Sequence, residues 1–120
     1  MVSQHILVVD DDPVIRETVA DILDFEGYSI ETATNGREAL QAIERAQPSL
    51  VLLDMRMPVL DGWGFAREVK ERGLDLNIVV MTAARNAGRW AEEIDADGYL
   101  AKPFDLADLL ATVERLYQPG

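Results

Sequence analysis

The chain has 120 residues, no cysteine and a formal net charge of −11. That length suits one domain with one core, and the missing thiols exclude disulfides and thiolate metal sites. Basic residues are scattered singly, which excludes a clustered Lys and Arg surface for direct DNA or RNA binding, and no apolar stretch approaches the ~20 residues of a membrane span. With 48% hydrophobic and 28% charged residues and no basic, apolar leader pattern at the start, a soluble cytoplasmic protein is expected.

The first predicted strand is His5 to Val9, an apolar run ending in Asp10-Asp11-Asp12. Asp12-Pro13 reads as a helix N-cap followed by proline at the first helical position. Ile15, Val19 and Ile22 recur at helical spacing, and Gly27 is a plausible stop. Tyr28 to Ala33 alternates and reads as a strand nearer a sheet edge. Asn35 and Glu38 resemble a capping box ahead of Ala39, Leu40 and Ile43. Pro48 closes that helix, and Leu50 to Leu53 is the third strand, delivering Asp54. After a loop holding Pro58 and Gly62, the residues Phe65, Ala66 and Val69 predict a third helix closing near Gly73.

Ile78 to Met81 is the fourth strand and ends in Thr82. The fourth helix, Arg85 to Asp95, is the weakest: it contains Gly88 and has only Trp90, Ala91 and Ile94 as an apolar set. A short or mobile helix is expected there. Tyr99 to Ala101 is the fifth strand and ends in Lys102. Asp105 caps the last helix, with Phe104 and Leu109 placed as a hydrophobic staple. Leu106, Leu109, Leu110, Val113, Leu116 and Tyr117 form its stripe. The last three residues, 118–120, are a short tail. Five strand–helix alternations predict one α/β domain over 1–120, with a parallel sheet, helices on both faces and right-handed crossovers.

In such sheets ligands bind beyond the carboxyl ends of the strands. Four predicted strands end there in Asp10 and Asp11, Asp54, Thr82 and Lys102. Two carboxylates ~4 Å apart repel by about 4 kcal/mol at an effective dielectric of 20, so an acidic cluster must hold a proton or a cation. Mg2+ prefers oxygen ligands and takes only one or two carboxylates besides water and phosphate oxygens. Taken singly, each residue has a structural explanation: a solvated turn, a strand terminator, a β-branched strand end. Lys102 is the hardest to explain that way, because an ammonium is seldom placed beside buried strands unless paired. Only the coincidence of all four points to a divalent cation and a phosphoryl group.

These stretches resemble the receiver domain of bacterial two-component response regulators: I-L-V-V-D-D-D-P (6–13), L-V-L-L-D-M-R-M-P-V-L-D-G (50–62), V-V-M-T-A (79–83) and G-Y-L-A-K-P-F (98–104). The resemblance implies a flavodoxin-like (βα)5 fold, doubly wound, with strand order 2-1-3-4-5. It implies a phosphoacceptor domain that catalyses only its own phosphorylation and dephosphorylation, with Mg2+ as cofactor. Asp54 would take the phosphoryl group from a sensor histidine kinase or phosphotransfer protein and control a downstream output domain or protein. Metal coordination would fall to Asp11, Asp54 and the backbone carbonyl of Arg56, with Asp10 acting through water. Thr82 and Lys102 would contact the phosphoryl group. Thr82 would then move and Tyr99 swing inward. A cis Lys102–Pro103 bond is also implied.

The chain departs from the family pattern in places. Thr82 to Tyr99 is about two residues short, in the region of helix four. Gly98 stands where dimerising members carry an acid, and Thr112 where they carry a base, so dimerisation through that charge pattern is not expected and the oligomeric state stays open. By the same resemblance, Arg56 and Ala84 stand at positions that would tune phosphoryl lifetime. Arg56 can shield Asp54 or pair with an acid, and Trp63 is read as packing. Two other readings remain. Asp10-x-Asp12-x-Val14 fits the nucleophile motif of haloacid-dehalogenase-like phosphatases, although the chain is short for that class and lacks its later acidic pair. A receiver-like binding module not switched by phosphorylation is opposed by the intact set of site side chains.

Overall fold

The computed structural model describes residues 5–117; the tail 118–120 lies outside them. Strands β1 (His5–Val9), β2 (Ser29–Ala33), β3 (Leu50–Asp54), β4 (Asn77–Ala83) and β5 (Gly98–Lys102) alternate with helices α1 (Pro13–Phe25), α2 (Gly36–Arg45), α3 (Gly62–Glu71), α4 (Ala84–Glu93) and α5 (Leu106–Leu116). All strand pairings are parallel, and the order is β2-β1-β3-β4-β5. The strands reach further than their apolar runs predict: β3 includes Asp54, β4 runs through Thr82 to Ala83, and β5 takes in Lys102. The register carries these polar residues to one rim.

Successive strand residues point to opposite faces, and the core divides accordingly. Leu7, Val9, Val51, Leu53, Ile78 and Val80 pack with Leu40 and Ile43 of α2, Phe65 and Val69 of α3, and Trp90 of α4. Ile6, Val8, Leu50, Leu52, Val79 and Met81 pack with Val19 and Leu23 of α1 and Leu109 and Val113 of α5. The central strands are covered on both sides, which is why they read as unbroken apolar runs. β2, at the sheet edge, is mostly half-buried or exposed.

The caps follow local chemistry. Asp12 accepts from the Val14 and Ile15 N–H groups, Asn35 from Glu38 and Asp105 from Asp108. The Glu38 carboxylate reaches back to the Thr34 N–H at 3.0 Å, one residue before the cap, and this bond holds its pKa below the usual carboxylate value. Phe104 and Leu109 share one core cluster, whereas Leu106, read as part of the α5 stripe, is 55% exposed.

The expectation of a short fourth helix is corrected. α4 has ten residues, as many as α2 and α3. Ala87, Trp90 and Ala91 recur at helical spacing and are buried, which outweighs the single glycine. The α4 N-cap, Ala83, offers no side-chain hydrogen bond. Gly88 faces the Tyr99 ring, and a Cβ there would meet the ring at ordinary contact distance, 3.8 Å.

Candidate functional site

Asp10 follows β1 immediately and is fully buried. A buried carboxylate must be satisfied, and this one is. Its Oδ2 accepts from Lys102 Nζ at 3.0 Å and its Oδ1 from the Asp12 N–H at 2.9 Å. Its backbone carbonyl accepts from Arg16 Nη1 at 2.9 Å. Asp54 ends β3 on the neighbouring strand and is 8% exposed. Lys102 Nζ lies 3.6 Å from Asp54 Oδ1, so one ammonium sits between two buried acids. Asp11 is exposed and completes the cluster: carboxylate oxygens of Asp10, Asp11 and Asp54 lie within 4.8 Å of one another.

Three carboxylates facing one ammonium leave excess negative charge, and Asp54 bears the consequence. Burial first, then the neighbouring Asp10, push its pKa up to about 7, against the opposing pull of Lys102. A group so placed binds a proton or a cation strongly. The donor set is all oxygen, which suits a hard divalent cation. The cluster can therefore hold such an ion, with the Asp54 side chain 11% exposed.

Thr82 is buried near the end of β4, one residue beyond Met81, the register partner of Asp54. It therefore stands on the same rim. The acceptor-side loop is pinned at both ends: the Leu60 carbonyl accepts from the Gly36 N–H, and the Met55 carbonyl from the Gly62 N–H at 2.9 Å. At Gly62 a Cβ would come within 2.8 Å of the Met55 Cα, so only glycine permits α3 to start against the residue that follows Asp54. Asp61 caps α3 by accepting from the Gly64 N–H, and its place just before the first helical residue is the sequence signal for that cap. The Lys102–Pro103 peptide is cis, as the resemblance implies.

Arg56 behaves otherwise than either reading the sequence offered. Arg56 is exposed and neither covers Asp54 nor pairs with an acid among the described residues; its guanidinium stacks on the Trp90 ring of α4, 5.1 Å from the centroid. Trp63 packs edge-on against Trp90 at 4.9 Å, in line with its reading as a packing residue, and its Nε1–H donates to Glu93 Oε1. Tyr99 is 53% exposed and lies outside the cluster, over Gly88.

The sequence matches the response regulator receiver domain family over residues 6–114. The chain belongs to the response regulator receiver family. It is 46% identical over 114 residues to response regulator MprA of Mycolicibacterium vanbaalenii, an alignment covering 93% of this chain and 49% of that protein. The chain thus spans about half the length of the curated relatives it matches. Among solved structures, the receiver domain of NtrX from Brucella abortus superposes with a TM-score of 0.86 at 35% identity, covering 93% of this chain and 97% of that one. Response regulator TrrA from Thermotoga maritima, solved in complex with Mg2+-BeF, gives 0.83 at 36% identity, covering 95% and 99%. This receiver domain is part of two-component signalling, and the match favours that function over the phosphatase reading. Among the described residues, no helix is long and apolar enough to cross a membrane.

Proposed function

We propose that Asp54 accepts a phosphoryl group from a histidine kinase or phosphotransfer protein, with Mg2+ bound by Asp11, Asp54 and the Arg56 carbonyl and aided by Asp10. The observation that carries this reading is the convergence of three carboxylates within 4.8 Å of one another, that of the buried Asp54 among them, with the Lys102 ammonium 3.6 Å from Asp54. An oxygen of Asp54 attacks phosphorus, the bond from phosphorus to the donor breaks, and the donor keeps the electron pair. The product is an acyl phosphate, a recognised form of carboxylate nucleophilic catalysis. Lys102 is placed to follow the charge outward from Asp54 to the phosphoryl oxygens, and Thr82 to donate its hydroxyl to them. Bound Mg2+ would neutralise the phosphoryl oxygens and the carboxylates together.

The new group adds about −1.5 to −2 charge where three acids already meet, so the rim must rearrange. Thr82 and Tyr99 are the proposed switch residues, one buried beside the site and one exposed on β5. The chain is read as a single receiver domain acting in the cytoplasm, with no catalytic turnover beyond its own phosphoryl group and with a downstream domain or protein as its output. Incubation with acetyl phosphate should label the wild type only when Mg2+ is present, and Asp54→Ala should abolish the label. Undiminished labelling of Asp54→Ala would sink the assignment.

A further inference from the structure

Arg56 is an exposed cation in the acceptor loop with no ion pair among the described residues. Its place is on Trp90, which is 5% exposed and is braced by Trp63; Trp63 is in turn tied to Glu93 of α4. A guanidinium within about 6 Å of an indole centroid is held by the ring quadrupole. Arg56 follows Asp54 by two residues, so their Cα atoms are at most about 7 Å apart. A long arginine side chain can cover that span by changing rotamers, which an exposed residue does freely.

We propose that Trp90 is a positioning residue that parks Arg56, and that Arg56 leaves it to become a second cation of the phosphoryl site once an anion occupies Asp54. The inference rests on Asp54 being the acceptor. The free Asp54 carboxylate lies below the rim, with Lys102 already beside it, and offers the guanidinium little. A phosphoryl group extends outward from that carboxylate, carries more charge and presents a face suited to planar guanidinium donors. Arg56 then has two competing places. Occupation of one vacates the other, so α4 loses its tie to the acceptor loop when the site is filled. The coupling is reciprocal: a weaker hold by Trp90 must strengthen anion binding at Asp54.

The test is the apparent affinity for beryllofluoride at saturating Mg2+, measured by isothermal titration calorimetry on wild type, Trp90→Leu, Arg56→Ala and the double variant. An exposed cation–π contact of ordinary strength corresponds to about a two- to five-fold preference. Trp90→Leu should therefore tighten binding by about that factor. Arg56→Ala should weaken binding, and in that background Trp90→Leu should change nothing. Trp90→Phe keeps a ring in the core and should give a smaller tightening, again only with Arg56 present; it carries the test if Trp90→Leu does not fold. The same Trp90 effect with and without Arg56, or no effect, overturns the parking role alone, because the wild type still binds. Failure of the wild type to bind beryllofluoride overturns the acceptor reading and the parking role together.

Discussion

At the carboxyl rim, Asp10 and Asp54 are buried with one ammonium between them. Two strands away, at the α4–β5 edge, Tyr99 is half exposed, α4 begins without a side-chain cap, and the Lys70–Asp95 pair has both side chains about four-fifths exposed. The rim is held by charges that cannot be separated without leaving one uncompensated in a low-dielectric site, where the loss is several kcal/mol. The exposed contacts at the edge, the Lys70–Asp95 pair and the Arg56–Trp90 stack, are worth ~0–1 kcal/mol each. The difference teaches where each task can reside. Chemistry needs a fixed constellation, while a reporting surface needs contacts that one new charge can outweigh. Arg56 on Trp90 belongs to the second kind and touches both regions.

The contrast can be broken most forcefully at Lys102. Lys102→Met removes the ammonium that pairs with both Asp10 and Asp54. It should lower stability by about 3 kcal/mol in urea unfolding and slow labelling of Asp54. A change no larger than that for an exposed pair would mean that the rim is not special.

The second way is through pH. The folded-state pKa of Asp54 is raised from 3.8 to about 7, so the native state holds this proton more tightly than the unfolded chain. Between about pH 4 and pH 7 the native state binds more protons, and stability therefore falls as pH rises through that window. Asp54→Asn carries no charge to bury. In chelator, its melting curve at pH 8 should show a gain of about 1–3 kcal/mol over wild type. The gain should shrink towards zero below about pH 4, where Asp54 is protonated in both states. Mg2+ should abolish it at pH 8 by stabilising the wild type.

The smallest effect belongs to the edge. The nearest atoms a Cβ at Gly88 would meet belong to the Tyr99 side chain, at ordinary contact distance. Gly88→Ala should raise stability by about 0.5–1 kcal/mol through helix propensity alone. A loss of stability there would show that α4 is more tightly constrained against β5 than its contacts indicate.

Much of this was legible in the sequence because it is local. Unbroken apolar runs gave the buried strands, and Asp12, Asn35 and Asp105 announced their helices. The rim residues could be read because parallel strands bring their carboxyl ends together. What escaped was long-range or depended on a side-chain path. The stacking of Arg56 on Trp90 joins residues 34 positions apart, and no spacing rule encodes it. The α4 helix was undervalued because propensity weighed Gly88 and could not see that Ala87, Trp90 and Ala91 would be buried against the sheet. Leu23, fully buried, fell beside the predicted α1 stripe rather than on it.

The central claim is that the phosphoryl group forms on Asp54, and the direct measurement is the position of the acyl phosphate itself. After reaction with acetyl phosphate and Mg2+, borohydride reduces an aspartyl phosphate to homoserine, which peptide mass spectrometry locates. Homoserine at position 54 alone is the predicted result. Homoserine at position 10, with position 54 unchanged, would contradict the account and restore the phosphatase reading.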